Sequence, residues 1–320
     1  MSTINLLFYV NFAVFSVFLT LFITEMMGAV LLLLFYEKSR KSVLDYIVPI
    51  WEVTGTFAAF WVVTADFAYP SLLLPVASLF AATIIIFLIL FVARNASISF
   101  AELIIRRGWL DEKKLYKLYS LFTLLIGLVV ITVLSAIVSG RGISLSNYSF
   151  SLATWISDPA SILYVAGVLF TGIGLAPVFY SMEEFRRLTV PLTSAGILFS
   201  TISLYLYSPS FITPMFLVPV LLTLVPPLLY QSRVTAPLVS NKLVFGAVTA
   251  IIIFSLNYIV YPTAFGGSLV VDEITAKGPM VEAFLLLSAA GAVIIGLLMI
   301  LYIVAVRNSK KGRVSTEHPA

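Results

Sequence analysis

Residues 71–93 read SLLLPVASLFAATIIIFLILFVA, bounded by Pro70 and Arg94, without a charged side chain. A helix rises about 1.5 Å per residue and the hydrocarbon layer of a bilayer is roughly 30 Å thick, so one crossing takes ~20 apolar residues. The stretch is long enough to cross. Comparable runs recur at 5–36, 47–67, 116–139, 159–180, 188–208, 211–230, 241–262 and 281–306. Hydrophobic residues make up 61% of the 320 and charged residues only 11%, whereas soluble domains average about 45–50% and about 25%. The first run is longer than the ~7–15-residue core of a signal peptide and has no basic start, so it reads as a permanent helix. The expectation is an all-α integral membrane protein of about nine transmembrane helices. Residues 1–308 form one membrane domain, followed by a polar cytoplasmic tail over 309–320.

Cationic loops resist transfer across the membrane, so lysine and arginine report orientation. With the amino terminus outside, the inside loops hold Lys38, Arg40 and Lys41; Arg94, Arg106, Arg107, Lys113, Lys114 and Lys117; Arg186 and Arg187; Arg233 and Lys242; and Arg307, Lys310, Lys311 and Arg313. Only Arg141 and Lys277 of the nineteen fall outside. An error of one in the helix count would scramble this alternation. The carboxyl terminus is therefore expected in the cytoplasm, and the protein in the cell (plasma) membrane as a multi-pass chain. Ser97 to Leu115 could lie flat at the inner interface, because Phe100, Leu103, Ile104 and Trp109 alternate with Glu102, Arg106 and Arg107; a solvated loop fits the same residues.

The sequence has no cysteine, which excludes disulfides, thiolate nucleophiles and cysteine-held metals. Its one histidine, His318, lies in the polar tail. No histidine is thus available to hold a haem iron in the membrane, and any haem belongs to a partner. The net charge of +4 comes from cations bordering the apolar runs, which argues for a membrane surface and against nucleic acid. Phosphate-binding glycine loops, serine elbows and metal-spaced carboxylate clusters are missing from the sequence. Catalysis within this chain is not expected. Gly167, Gly172, Gly174, Gly291 and Gly296 read as points of close helix approach, and Pro219, Pro226 and Pro227 as kinks in the seventh helix.

Charges within spans are costly and usually mark ion paths, proton relays or contacts with a partner. Glu25 lies about ten residues from the inner end of helix 1, roughly 15 Å deep, and Glu52 about five residues past the inner end of helix 2, roughly 8 Å deep. Packed as a hairpin, the first two helices could make these carboxyls two steps of one proton path from inside. Alternatively, each hydrogen-bonds a neighbouring helix or reaches the interface. Asp66, near the outer end of helix 2, reads as an interfacial anchor. Arg94 reads as a cation closing helix 3 at its cytoplasmic end. Trp51 adjoins Glu52 and is a candidate for quinone or purely structural contact; Tyr69, Tyr116, Tyr258 and Tyr261 fit an interfacial belt.

Around helices 1 to 3 the sequence resembles subunit II of the cytochrome bd quinol oxidases. Ile47-Val48-Pro49-Ile50-Trp51-Glu52 is similar to that family's Pro-x-Trp-Asp opening of helix 2, Trp61 to Pro70 to its aromatic, proline-ended close, and Leu90 to Arg94 to its arginine-bearing end of helix 3. Asn257 to Pro262, Ile274-Thr275 and the final helix closing at Tyr302 are similar to the family's last two helices. The chain departs from the family's helix 1 signature, carrying Thr24-Glu25-Met26-Met27-Gly28, and continues Val53-Thr54-Gly55-Thr56-Phe57 where the family has Gly-Asn-x-Val-Trp. It resembles a divergent member.

The resemblance implies two four-helix bundles plus one peripheral helix. It also implies a partner, the haem-bearing subunit I carrying haem b and haem d, which oxidises quinol and reduces oxygen. This chain would bind no haem, with a structural quinone as a further candidate ligand, and would conduct protons through Glu52 and Glu25. Two other readings share the same residues: a structural subunit of another cytochrome b complex, and a small-solute transporter using Glu25, Glu52 and the kinked seventh helix.

Overall fold

The computed structural model describes residues 3–103, 111–256, 261, 263–264, 269–276 and 278–314. The first two apolar runs are joined without a loop in α1 (Thr3–Ala68), broken at Phe35, where φ −132° and ψ 43° leave helical geometry. Ser39 lies past the break, and its hydroxyl donates to the carbonyls of Leu31 (3.0 Å) and Phe35 (2.9 Å). Backbone acceptors near the break are thereby satisfied, as a kink in an apolar medium requires. The chain then folds back on itself. Asn11 Nδ2 donates to Thr64 Oγ1 at 3.0 Å, and Gly28 faces Ile47 and Val43. The limbs therefore pair antiparallel about residues 37 and 38, and the expected inside loop bearing Lys38, Arg40 and Lys41 is helical.

The third run is also interrupted. α2 (Pro70–Leu79) and α3 (Ala81–Leu103) meet at Phe80, whose φ −106° and ψ 21° end the first of them. α3 then runs past Arg94, so this arginine lies inside a helix and does not close one. The flat helix considered for Ser97 to Leu115 is replaced, at its start, by this continuation, with Ser97, Ile98 and Ala101 buried. Residues 104–110, including Ile104, Arg106, Arg107 and Trp109, lie outside the described residues. α4 (Glu112–Ser139) starts on Asp111, whose Oδ1 accepts the Lys114 amide at 2.7 Å, and stops on Gly140 at φ 71°. This is an acidic N-cap and a left-handed glycine stop.

A two-stranded hairpin, β1 (Ile143–Ser144) with β2 (Ser149–Phe150), and the short α5 (Leu152–Ile156) fill the next connection. Trp155 is buried there and donates to Ser135 Oγ at 3.2 Å. α6 (Pro159–Phe179) and α7 (Arg186–Tyr207) follow. The seventh run begins as two 3-10 turns before α8 (Leu217–Tyr230), which contains Pro226 and Pro227. After α9 (Ala236–Val239) and α10 (Lys242–Ser255) come β3 (Thr263–Ala264), β4 (Leu269–Val270), α11 (Val271–Ile274) and α12 (Pro279–Val314). α12 carries helix into the expected polar tail as far as Val314; His318 and Lys277 lie outside the described residues, as do Tyr258 and Pro262.

Among the described residues, six helices are long and apolar enough to cross a membrane by length and composition: α1, α3, α4, α6, α7 with its preceding turn, and α12. α8 and α10 are shorter apolar helices. Ile85, Leu88, Ile89 and Val92 stand exposed along α3, an arrangement suited to lipid or an apolar partner. This is an all-α membrane protein. Both limbs of α1 pack with α3 and α4, while α6, α7, α8 and α10 pack with one another, and α12 lies against α1.

The connections sort to two faces. On one, Lys38 pairs with Glu184 at 2.6 Å, Lys113 with Glu37 at 2.6 Å, and Gln231 Nε2 reaches Arg186 O at 3.0 Å. On the other, Leu7, Ala68, Val281 and Leu285 share one cluster, and Ala276 donates to Ala68 O at 2.9 Å. The first face carries the basic connections.

Candidate functional site: a buried carboxylate and arginine

Four helical segments bring polar groups together in the first bundle. Glu25 comes from the first limb of α1, Thr54 from its second limb, Arg94 from α3 and Tyr119 from α4. Glu25 is 0% exposed and Arg94 1%. Arg94 Nη2 and Tyr119 OH both donate to Glu25 Oε2, the latter at 3.0 Å, and Thr54 Oγ1 donates to Oε1. Arg94 Nη2 also lies 3.4 Å from Tyr119 OH, and its guanidinium sits 5.2 Å from the Tyr119 ring centre and 5.8 Å from that of Phe91. Three donors, one of them a guanidinium, converge on one carboxylate. Arg94 Nε is buried without a protein partner among the described residues, the kind of group an internal water satisfies.

Hydroxyls extend this centre towards the second bundle. Thr24 Oγ1 donates to Leu21 O at 2.7 Å, leaving the Tyr46 hydroxyl, 3.0 Å away, to donate to Thr24. Tyr180, at the end of α6, donates to Thr24 O at 2.8 Å. Its oxygen lies 2.5 Å from where a side chain on Gly28 would begin, so only glycine leaves room for that hydroxyl. Lys242 Nζ in turn donates to Phe179 O and lies 4.0 Å and 4.8 Å from the ring centres of Phe179 and Tyr180. A cation here completes the carbonyl end of α6.

The structure does not bring Glu25 and Glu52 together. Thr54 faces Glu25, whereas Glu52, two residues earlier and so about 200° around the helix, is exposed. Its carboxyl has no hydrogen-bond partner among the described residues. Trp51 is half-buried against the cluster at the basic face, and Asp66 is half-buried near the end of α1. Pairing of Glu25 with Arg94 was legible in principle. Glu25 is the lone charge within its apolar run and Arg94 borders another, and charges in a membrane usually find each other. Tyr119 and Thr54 gave no comparable signal, since neither stands out among the many hydroxyl residues of these helices.

Over this geometry the chain superposes on one chain of the structure of bd oxidase from Geobacillus thermodenitrificans with a TM-score of 0.69, covering 94% of this chain and 97% of that one. The chain has a bd-oxidase-like fold. Sequence identity is 17%, so the likeness is one of fold. No family model matches the sequence, and no curated protein matches it either.

Proposed function

We propose that this chain is the haem-free, subunit II-type component of a bd-type quinol oxidase in the plasma membrane. Near-complete coverage of both chains by one fold carries this reading. The division of labour follows from side chains: the membrane helices contain no histidine, so haems b and d and the reduction of oxygen belong to a subunit I partner. The exposed, unpartnered Glu52 supports a partner on that side of α1, because a carboxyl left in hydrocarbon is costly. In this reading Glu52 meets protons at the subunit boundary. Glu25, held by Arg94, Thr54 and Tyr119, supplies a fixed charge and hydroxyl contacts deeper in the bundle; Trp51 packs beside Glu52, where a structural quinone would be sought.

The test is purification through a tag on this chain. A haem-bearing partner should follow it, with b- and d-type absorption and quinol-dependent oxygen uptake. Isolation alone, or with a partner lacking haem d, would defeat the proposal. Orientation is tested separately, and the absence of native cysteine makes single-cysteine labelling direct. Lys41→Cys should react from the cytoplasmic side and Ser146→Cys from outside. The reverse pattern would invert the assignment.

A further inference from the structure

The cations of the basic face are mostly matched. Lys38 pairs with Glu184, Arg40 with Glu112, Lys113 with Glu37 and Arg186 with Glu183, and Lys242 is taken up by Phe179 O and two rings. The rim of the second bundle differs. Arg187 and Arg233 are exposed and have no acceptor among the described residues. Nor can the local sequence supply one, because no Asp or Glu occurs between Glu184 and Asp272, and the two nearest acids, Glu183 and Glu184, are already engaged. Gln231 Nε2 ties the two turns together, donating to Arg186 O at 3.0 Å and Thr189 Oγ1 at 2.8 Å.

Beside these cations stand aliphatic side chains of unusual exposure: Val234 at 88%, Leu243 at 75%, Leu238 at 58% and Leu188 at 51%. α9 presents this surface by burying Ala236 and Val239 on its inner side. Two unmatched guanidiniums above an apolar shelf fit one class of molecule, an acidic group carrying acyl chains. We propose that the turn at Arg187 and the segment Gln231–Val239 form a binding site for the phosphate headgroup of an anionic phospholipid. Its glycerol and acyl chains lie over Val234, Leu238 and Leu188. The site requires the chain to lie in a bilayer and is independent of the oxidase reading.

The protein, purified in mild detergent with whatever partner accompanies it, is offered equimolar phosphatidylglycerol and phosphatidylethanolamine of identical acyl chains, and the bound lipids are counted by native mass spectrometry. Each basic residue at a membrane surface is worth about fivefold in anionic-lipid affinity, so R187Q/R233Q should lower the preference for phosphatidylglycerol roughly thirtyfold. Lys41→Gln, which removes an exposed cation elsewhere on the same face, should leave it unchanged. An unaltered preference in the double variant, or an equal loss in Lys41→Gln, overturns the site. Displacement of the lipid by millimolar inorganic phosphate also overturns it, since that would mark a free-phosphate site. All three positions are exposed, and the unfolding temperature of each variant checks that the fold is retained.

Discussion

The two bundles are held together by different means. The first, built from α1, α3 and α4, places an ionised pair at its centre and surrounds it with hydroxyls. The second shows no buried charge in its helix interiors among the described residues; it is closed by small side chains along α6 and α7. A side chain on Gly196 would meet Thr171 and, at 2.7 Å, Gly167 O; one on Gly174 would meet Thr193 N at 2.6 Å. Close backbone approach of this kind gives dispersion contacts where the hydrophobic effect cannot drive helices together. Charge is tolerated in the interior of the first half because the two buried charges, Glu25 and Arg94, pair with each other. The contrast sets a paired charge at the centre of the first half against close backbone packing in the second.

Breaking the pair should have the largest effect. Removing one member of a buried ion pair strands the other, typically at about 3–5 kcal/mol. Arg94→Leu should therefore destabilise the protein strongly, read as a lowered thermal unfolding temperature in detergent. Glu25→Leu together with Arg94→Leu should recover much of that loss, because a buried pair replaced by apolar groups is often near neutral. If Arg94→Leu proves harmless, the first bundle is held by packing alone and the contrast fails.

Glu52 sharpens the same comparison from the functional side. It is exposed and its carboxyl has no hydrogen-bond or ion-pair partner among the described residues, so Glu52→Gln should leave the unfolding temperature unchanged. Within the proposed oxidase, turnover should fall by up to about 100-fold, the lower end of what a positioned proton-transfer group contributes. Haem absorption should persist. Normal turnover and proton uptake in this variant would remove Glu52 from the path.

Overpacking the second bundle should cost less, about 1–3 kcal/mol for an inserted side chain. Gly196→Val tests the α6–α7 contact, with Gly172→Val as its control. Nothing lies within 4 Å of a side chain added at Gly172, so that variant should unfold with the parent. Equal losses in both would mean that helix propensity, and not close approach, governs this half.

Much of this architecture was legible in the sequence because membrane segments declare themselves by length and lack of charge. Each expected run holds α-helix over much of its described length, broken at Phe80 in the third and opened by 3-10 turns in the seventh, and the loop charges predicted which connections share a face. What escaped was anything set by a single residue's geometry. Apolarity ends at Ala93, which made Arg94 look terminal, yet α3 continues to Leu103 because nothing in Asn95 to Leu103 breaks a helix. Gly172 and Gly296 read as contact points by type alone, but they face open space. The site was half legible. Glu25 was singled out as a costly charge and Arg94 as a cation closing helix 3, but their pairing depends on the hairpin turning at Phe35, which no residue in Leu34-Phe35-Tyr36 announces.

The smallest effect lies where the first bundle meets water. The amide of Lys114 donates to the Asp111 carboxylate at the start of α4 and holds its pKa below the usual aspartate range, with Lys114 adding a charge contribution. A lowered pKa means that the cap stabilises fully above the ordinary aspartate value and is lost as pH falls through the lowered one. Hydrogen exchange at the Lys114 amide should therefore remain slow, relative to its intrinsic rate, until the pH drops below the usual aspartate range. Asp111→Asn should abolish that pH dependence while keeping the cap, since asparagine also accepts the amide. A pH profile identical in the two proteins would show that the charge at Asp111 contributes nothing there, leaving the buried pair as the place where charge stabilises this half of the molecule.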